Sequence, residues 1–180
     1  MINRIKGVLY LDEDIFEEIE HDEKATGQAA LVVIVASLLG ALGISFGPAV
    51  LQAVKPGTGS AIVNFFVIVI WSVVAWLLWA AVTYIIGTKI FHGDATYGEM
   101  LRVTGFAFAP LALMIFSAIP CIGLAIALVV IVWSFGAVFI AVRSGLDLDF
   151  ARTLATVFIG WFLYAIGMGI IFSFFIGVLA

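Results

Sequence analysis

The chain has 180 residues, 64% of them hydrophobic and 11% charged, and carries a formal net charge of −4. Soluble domains hold about 25% charged and 45–50% apolar residues, so this composition excludes a water-soluble globule and asks for lipid as its solvent. Eight of the twelve acidic residues lie between Asp12 and Glu23, which leaves the remainder near charge balance and excludes a broad basic face for nucleic acid.

Residues 1–26 form a polar head. Leu11, Ile15 and Ile19 recur at every fourth position, with Val8 and Phe16 alongside and acids on the other faces. That pattern predicts a single amphipathic helix. Asp14 and Glu17 have capping-box spacing, and the preceding Asp12 and Glu13 suit a positive helix N-terminus. The helix is expected to end near Lys24, where Thr26-Gly27 breaks the pattern. No cleavable signal precedes the first apolar stretch, so the first span is expected to serve as an uncleaved anchor.

Residues 27–180 read as a membrane domain. A helical span needs about 20 mainly apolar residues, because the hydrocarbon is about 30 Å thick and each residue rises 1.5 Å. Five stretches qualify: 29–54, 61–91, 99–119, 124–142 and 150–179. The first is expected to bend or end near Gly47-Pro48, and the second is long enough to tilt or to project beyond lipid. Thr96 to Glu99 has capping-box spacing at the start of the third, and Pro110 should kink that helix near Phe106. Pro120-Cys121-Ile122-Gly123 turns the chain into the fourth, and Asp149 is placed to cap the fifth. A hairpin between the third and fourth spans puts Arg102 and Arg143 on one side. A single helix across that segment would be far too long for the bilayer. The resulting fold class is an all-α integral membrane bundle with five transmembrane helices and an N-terminal amphipathic helix.

With five spans, Arg4, Lys6, Lys24, Lys89, Arg102, Arg143 and Arg152 share the N-terminal side, and only Lys55 lies opposite. The positive-inside rule then predicts a cytoplasmic N-terminus and an outside C-terminus.

No ionisable residue falls near the middle of a span, where buried charge marks ion pathways and proton relays. Asp94, Glu99, Arg102, Arg143, Asp147, Asp149 and Arg152 gather instead at the predicted cytoplasmic ends. They read either as interfacial caps and snorkelling side chains or as a polar cluster that docks the acidic helix or a partner. Glu18 and His21 have the Glu-x-x-His spacing of a bundle metal site, but no second such pair exists. Asp12 to Glu23 resembles a calcium loop in spacing alone, with Glu17 where glycine is required. Serines occur within the spans, but neither histidine does, so no nucleophile–base pair is expected. Cys121, the sole cysteine, lacks a cationic neighbour and is expected to be inert. The reading is a non-enzyme without metal or cofactor.

Small residues repeat every fourth position at Ala165, Gly169, Ser173 and Gly177, and pairwise at Ala36/Gly40 and Gly43/Gly47. Such stripes allow close helix approach in lipid, either within the monomer or at an oligomer seam.

The third span reads Tyr97-Gly98-Glu99-Met100-Leu101-Arg102-Val103-Thr104-Gly105-Phe106-Ala107-Phe108-Ala109-Pro110. Tyr97-Gly98, Gly105-Phe106 and Pro110 resemble the motif of the Yip-domain family of Ypt/Rab-interacting multi-pass membrane proteins, with Phe106 where tyrosine is typical. The order of a head, five spans and an outside C-terminus is similar too, and the segment from Lys6 through Asp12, Phe16, Ile19 and Asp22 resembles prokaryotic members. Eukaryotic relatives are implicated in Golgi and endoplasmic reticulum trafficking through Rab GTPases. Their Asp-Leu-Tyr-Gly-Pro motif before the first span is absent, the approach here being Lys24-Ala25-Thr26-Gly27, which argues against a GTPase partner. The resemblance implies a prokaryotic cytoplasmic-membrane protein, with an endoplasmic reticulum or Golgi membrane as the alternative. The function expected is a membrane scaffold or interaction protein with membrane-protein partners or a second copy of itself, the rival being a small-solute transporter or channel subunit. Gly105, Phe106 and Pro110 are the candidate hinge.

Overall fold

The computed structural model describes the backbone of residues 1–46 and 61–179, and the side chains of these except 46, 168 and 170–179. Among the described residues every regular element is helical. The head holds α1 (Ile2–Leu9) and α2 (Glu13–His21) rather than the single helix expected. Leu11 makes the break. It adopts φ 60°, its N–H donates to the Val8 carbonyl at 3.1 Å, and the Asp12 N–H donates to the Gly7 carbonyl at 3.0 Å. This is a Schellman ending, with leucine where glycine is usual. The cap of α2 is therefore Asp12, whose carboxylate accepts the Asp14 N–H at 3.2 Å, and not the Asp14–Glu17 pair.

Nor does Thr26-Gly27 end a helix, since both lie inside α3 (Ala25–Phe46). Asp22 makes that turn instead, accepting the Lys24 N–H on its side chain at 3.0 Å and the Ala25 N–H on its carbonyl at 2.8 Å. The remaining elements are α4 (Ala61–Lys89), α5 (Tyr97–Phe106), a 3-10 helix (Ala109–Ala118), α6 (Gly123–Ser144) and α7 (Phe150–Leu179). Five helical stretches, with α5 and the 3-10 helix counted as one, are long and apolar enough to cross a membrane. The expected bend at Gly47-Pro48 lies outside the described residues.

The third span departs most from expectation. Pro110 has no N–H, and its ring would clash with the carbonyl four residues back, on Phe106. The chain answers by ending the α-helix at Phe106 and continuing as a ten-residue 3-10 helix, not as a kinked α-helix. The Phe108 N–H bonds the Gly105 carbonyl at 3.2 Å and the Leu111 N–H bonds the Phe108 carbonyl at 2.9 Å. Runs of 3-10 helix beyond a few residues are uncommon, and here α3 packs closely along this one. A Cβ on Gly43 would lie 1.9 Å from the Met114 carbonyl oxygen, and one on Gly40 would lie 3.3 Å from that of Leu111.

The bundle core sits at the head end. Val8, Phe16 and Ile19 of the head are fully buried with Met100, Val103 and Phe106 of α5, Ala137 and Ala141 of α6, and Leu146 of the α6–α7 turn. Gly105 brings α5 against α3 and α4, since a Cβ there would stand 2.8 Å from Ala29 and 3.1 Å from the Trp76 ring.

Candidate functional site

The polar face of the head meets the membrane domain at the ends of α5 and α6. Arg102, one turn into α5, is only 7% exposed. Its Nε donates to the Glu20 carbonyl oxygen at 2.9 Å, and its Nη2 donates to the same oxygen. A guanidinium at the carboxyl end of α2 satisfies an orphan carbonyl and matches the negative end of the helix dipole. At the other end of α2, Arg143 from the last turn of α6 pairs with Glu13 at 2.7 Å. One short helix therefore bridges Arg102 and Arg143, so both arginines lie at the same end of the bundle, as the hairpin reading requires.

Further bonds seat the head. The Trp133 Nε1 on α6 donates to the Leu9 carbonyl at 3.0 Å, and Leu11 packs near Gly136. Arg4 binds Glu18 and Asp22, each at 2.8 Å, and donates to the Gln28 side chain at 3.3 Å, tying α1 to α2 and to the start of α3. The hydrogen bonds to Glu18 and Asp22 raise the Arg4 pKa, and the bond from Arg4 holds the Asp22 carboxyl below its usual range.

The other expected cluster members divide. Glu99 completes the capping box: its carboxylate accepts the Thr96 N–H at 2.6 Å while the Thr96 hydroxyl accepts the Glu99 N–H at 3.3 Å. Glu99 also lies 3.9 Å from Arg102. Asp149 caps α7 through the Arg152 N–H at 2.9 Å and pairs with the Arg152 side chain at 3.3 Å, both groups being well exposed. Arg152 thus serves its own helix and not the head. Asp94 is held by its backbone, its N–H donating to the Leu146 carbonyl at 3.2 Å. Asp147 lies in the α6–α7 turn in a left-handed conformation, φ 51°, and its charge acts on Glu20.

Glu20 was indistinguishable in the sequence from its acidic neighbours, yet it is 6% exposed. Burial first, then the charges of Asp147 and Glu99, push its carboxyl up to about 7 from an ordinary value of 4.5, against opposing effects of His21 and Arg102. His21 is exposed, and acceptance by the Glu17 carbonyl raises its pKa.

The motif residues of the third span have separate tasks. The Tyr97 hydroxyl donates to the Leu77 carbonyl at 3.1 Å and its ring meets Tyr84 edge-on. A Cβ on Gly98 would lie 3.3 Å from the Arg102 guanidinium. Phe106 is fully buried, and Pro110 begins the 3-10 helix. Of the small-residue stripe on α7, Ala165 and Gly169 are exposed, and among the described residues no atom stands within 4 Å of a Cβ built on Gly169. The side chains of Ser173 and Gly177 lie outside the described residues.

Among the described residues no group of three or more His, Cys, Asp or Glu side chains could hold a metal ion. Cys121 is exposed at the turn before α6. An aromatic groove of about 280 Å³ lies between α4, α6, α7 and the 3-10 helix, with Trp79, Phe108, Phe135, Trp161 and Tyr164 on its walls. What the arrangement offers chemically is binding: the arginines and caps hold the head, and the head turns Asp14, Glu17 and Glu23 outward.

Compared with known proteins, residues 6–176 match the family model described as the Yip1 domain. No curated protein and no solved structure matches the chain.

Proposed function

The chain belongs to the Yip1 domain family, and from that premise we propose that it is a non-enzymatic membrane scaffold whose seated head presents an acidic surface to protein partners. One observation carries this reading. Val8, Phe16 and Ile19 of the head are fully buried against the chain's own core, while Asp14, Glu17 and Glu23 face outward. A partner therefore meets a fixed acidic surface, and docking it costs little ordering entropy. The head end carries Arg4, Lys6, Lys24, Lys89, Arg102, Arg143 and Arg152, so the positive-inside rule supports a cytoplasmic head. Together with the resemblance of the head to prokaryotic members, this supports a cytoplasmic membrane and basic or membrane-embedded partners in place of a GTPase.

The test is crosslinking in native membranes with Asp14→Asn, Glu17→Gln and Glu23→Gln combined. These exposed changes leave the core intact, and they should remove the neighbours captured by the unaltered chain. Retention of the same neighbours would discard the reading. The aromatic groove favours a second reading, passage or capture of a small apolar solute. Flux across reconstituted vesicles, with crosslinks unaffected by the triple variant, would favour that alternative.

A further inference from the structure

We propose that the junction of α2, α5 and the α6–α7 turn is a proton-controlled latch: a proton on Glu20 keeps the head seated, and its loss loosens the head.

The geometry gives an anion no comfortable place there. Glu20 is almost wholly buried, Glu99 of α5 lies 3.9 Å from the same Arg102 that holds the Glu20 carbonyl, and the charges of Asp147 and Glu99 both act against ionisation of the Glu20 carboxyl. Arg102 is the cation that α5 supplies, but its guanidinium is directed at the backbone carbonyl of Glu20 and lies near Glu99. Among the described residues no basic side chain comes within ion-pair reach of the Glu20 carboxylate. From the other packed elements, Arg4 of α1 is engaged by Glu18 and Asp22, and Arg143 of α6 by Glu13. On α2 itself, His21 is exposed and supplies the larger of the two opposing charges, ahead of Arg102 but behind Asp147. Ionising Glu20 in place would add a negative charge that Asp147 and Glu99 oppose and that burial disfavours, a cost relieved by letting α2 leave.

The direction comes from linkage. The seated carboxyl titrates near 7 and a released one near 4.5. Below the lower value both forms hold the proton and seating does not depend on pH. Between the two values only the seated form holds it, so seating weakens roughly tenfold per pH unit, on the order of a hundredfold in all. Above the upper value the dependence stops. The latch is closed in acid and loosened through neutrality, whether or not the outward acids bind a partner.

Hydrogen exchange of the α2 amides tests this on the full chain in lipid nanodiscs, corrected for the intrinsic pH dependence of exchange. A nine-residue helix is not stable alone in water, so its protection reports seating. Protection in the unaltered chain should fall by roughly a hundredfold between pH 5 and 8. Glu20→Gln, which mimics the protonated group, should remove most of that fall and leave the part that His21, also raised in the seated head, contributes. Asp147→Asn should move the fall to lower pH by removing one charge that acts against ionisation, and asparagine tolerates the left-handed backbone at that position. A flat profile in the unaltered chain would overturn the latch, as would a fall that survives undiminished in Glu20→Gln or one that Asp147→Asn leaves in place.

Discussion

The two ends of the bundle are built on different terms. At the head end Phe16, Ile19, Met100, Val103, Phe106 and Leu146 are fully buried, whereas farther along α4, α6 and α7 Phe66, Ile70, Leu124, Val132, Trp161 and Phe162 each stand more than half exposed. The side chains are equally greasy at both ends, so hydrophobicity does not set the difference. The solvent does. Where a polar head and charged turns bring water near, apolar surface gains by burial at about 25 cal/mol per Å². Where lipid surrounds the helices, an outward phenylalanine loses nothing, and close packing needs shape or hydrogen bonds instead. The head, polar by composition, thus completes the dense core found among the described residues, while the far residues just named stand exposed.

That contrast can be broken first with paired truncations. Phe16→Ala should cost about 3–5 kcal/mol, the usual range for a buried phenylalanine, while Phe162→Ala should cost almost nothing, both read by denaturant titration in mixed micelles. Similar losses at both positions would erase the distinction. Arg102→Met comes next. It removes two charge-assisted bonds and orphans the Glu20 carbonyl, so head seating should weaken by about 2–4 kcal/mol, seen as faster exchange in α2 with membrane insertion unchanged. The two small-residue stripes sharpen the comparison. Gly43→Ala drives a methyl group into the Met114 backbone and should cost about 1–3 kcal/mol, whereas Gly169→Ala meets none of the described residues and should be neutral or stabilising by up to about 1 kcal/mol. Smallest is Arg143→Gln, because its bridge to Glu13 is roughly half exposed at both ends. Less than about 1 kcal/mol is expected, and titration with salt should weaken the native pair similarly.

Much of this was legible residue by residue. Thr96 and Glu99 form the capping box their spacing indicated, Asp149 caps α7, and the third span changes character where Pro110 forbids a carbonyl contact with Phe106. The form of that change, a long 3-10 helix, was not readable, because proline specifies where an α-helix must stop and leaves the next conformation open. Leu11 hid the break between α1 and α2, since leucine carries no turn signal and sits in a left-handed conformation only because the seated head holds it there. The stripes looked alike in the sequence, but Gly40 and Gly43 meet the 3-10 backbone and Gly169 meets none of the described residues. A small residue permits approach without naming what approaches.

The amino-acid order alone determined the solvent, the number of spans and their approximate limits, because transfer into lipid is a sum over neighbouring residues and can be read in a local window. Which acid becomes buried, which arginine holds the head and which glycine face is used were decided by contacts such as Arg102 to Glu20 and Arg143 to Glu13, separated by 82 and 130 positions. No local sum contains those terms. Only the folded chain brings the groups into one seam, where the energy of a charge depends on its neighbours and on how much water remains.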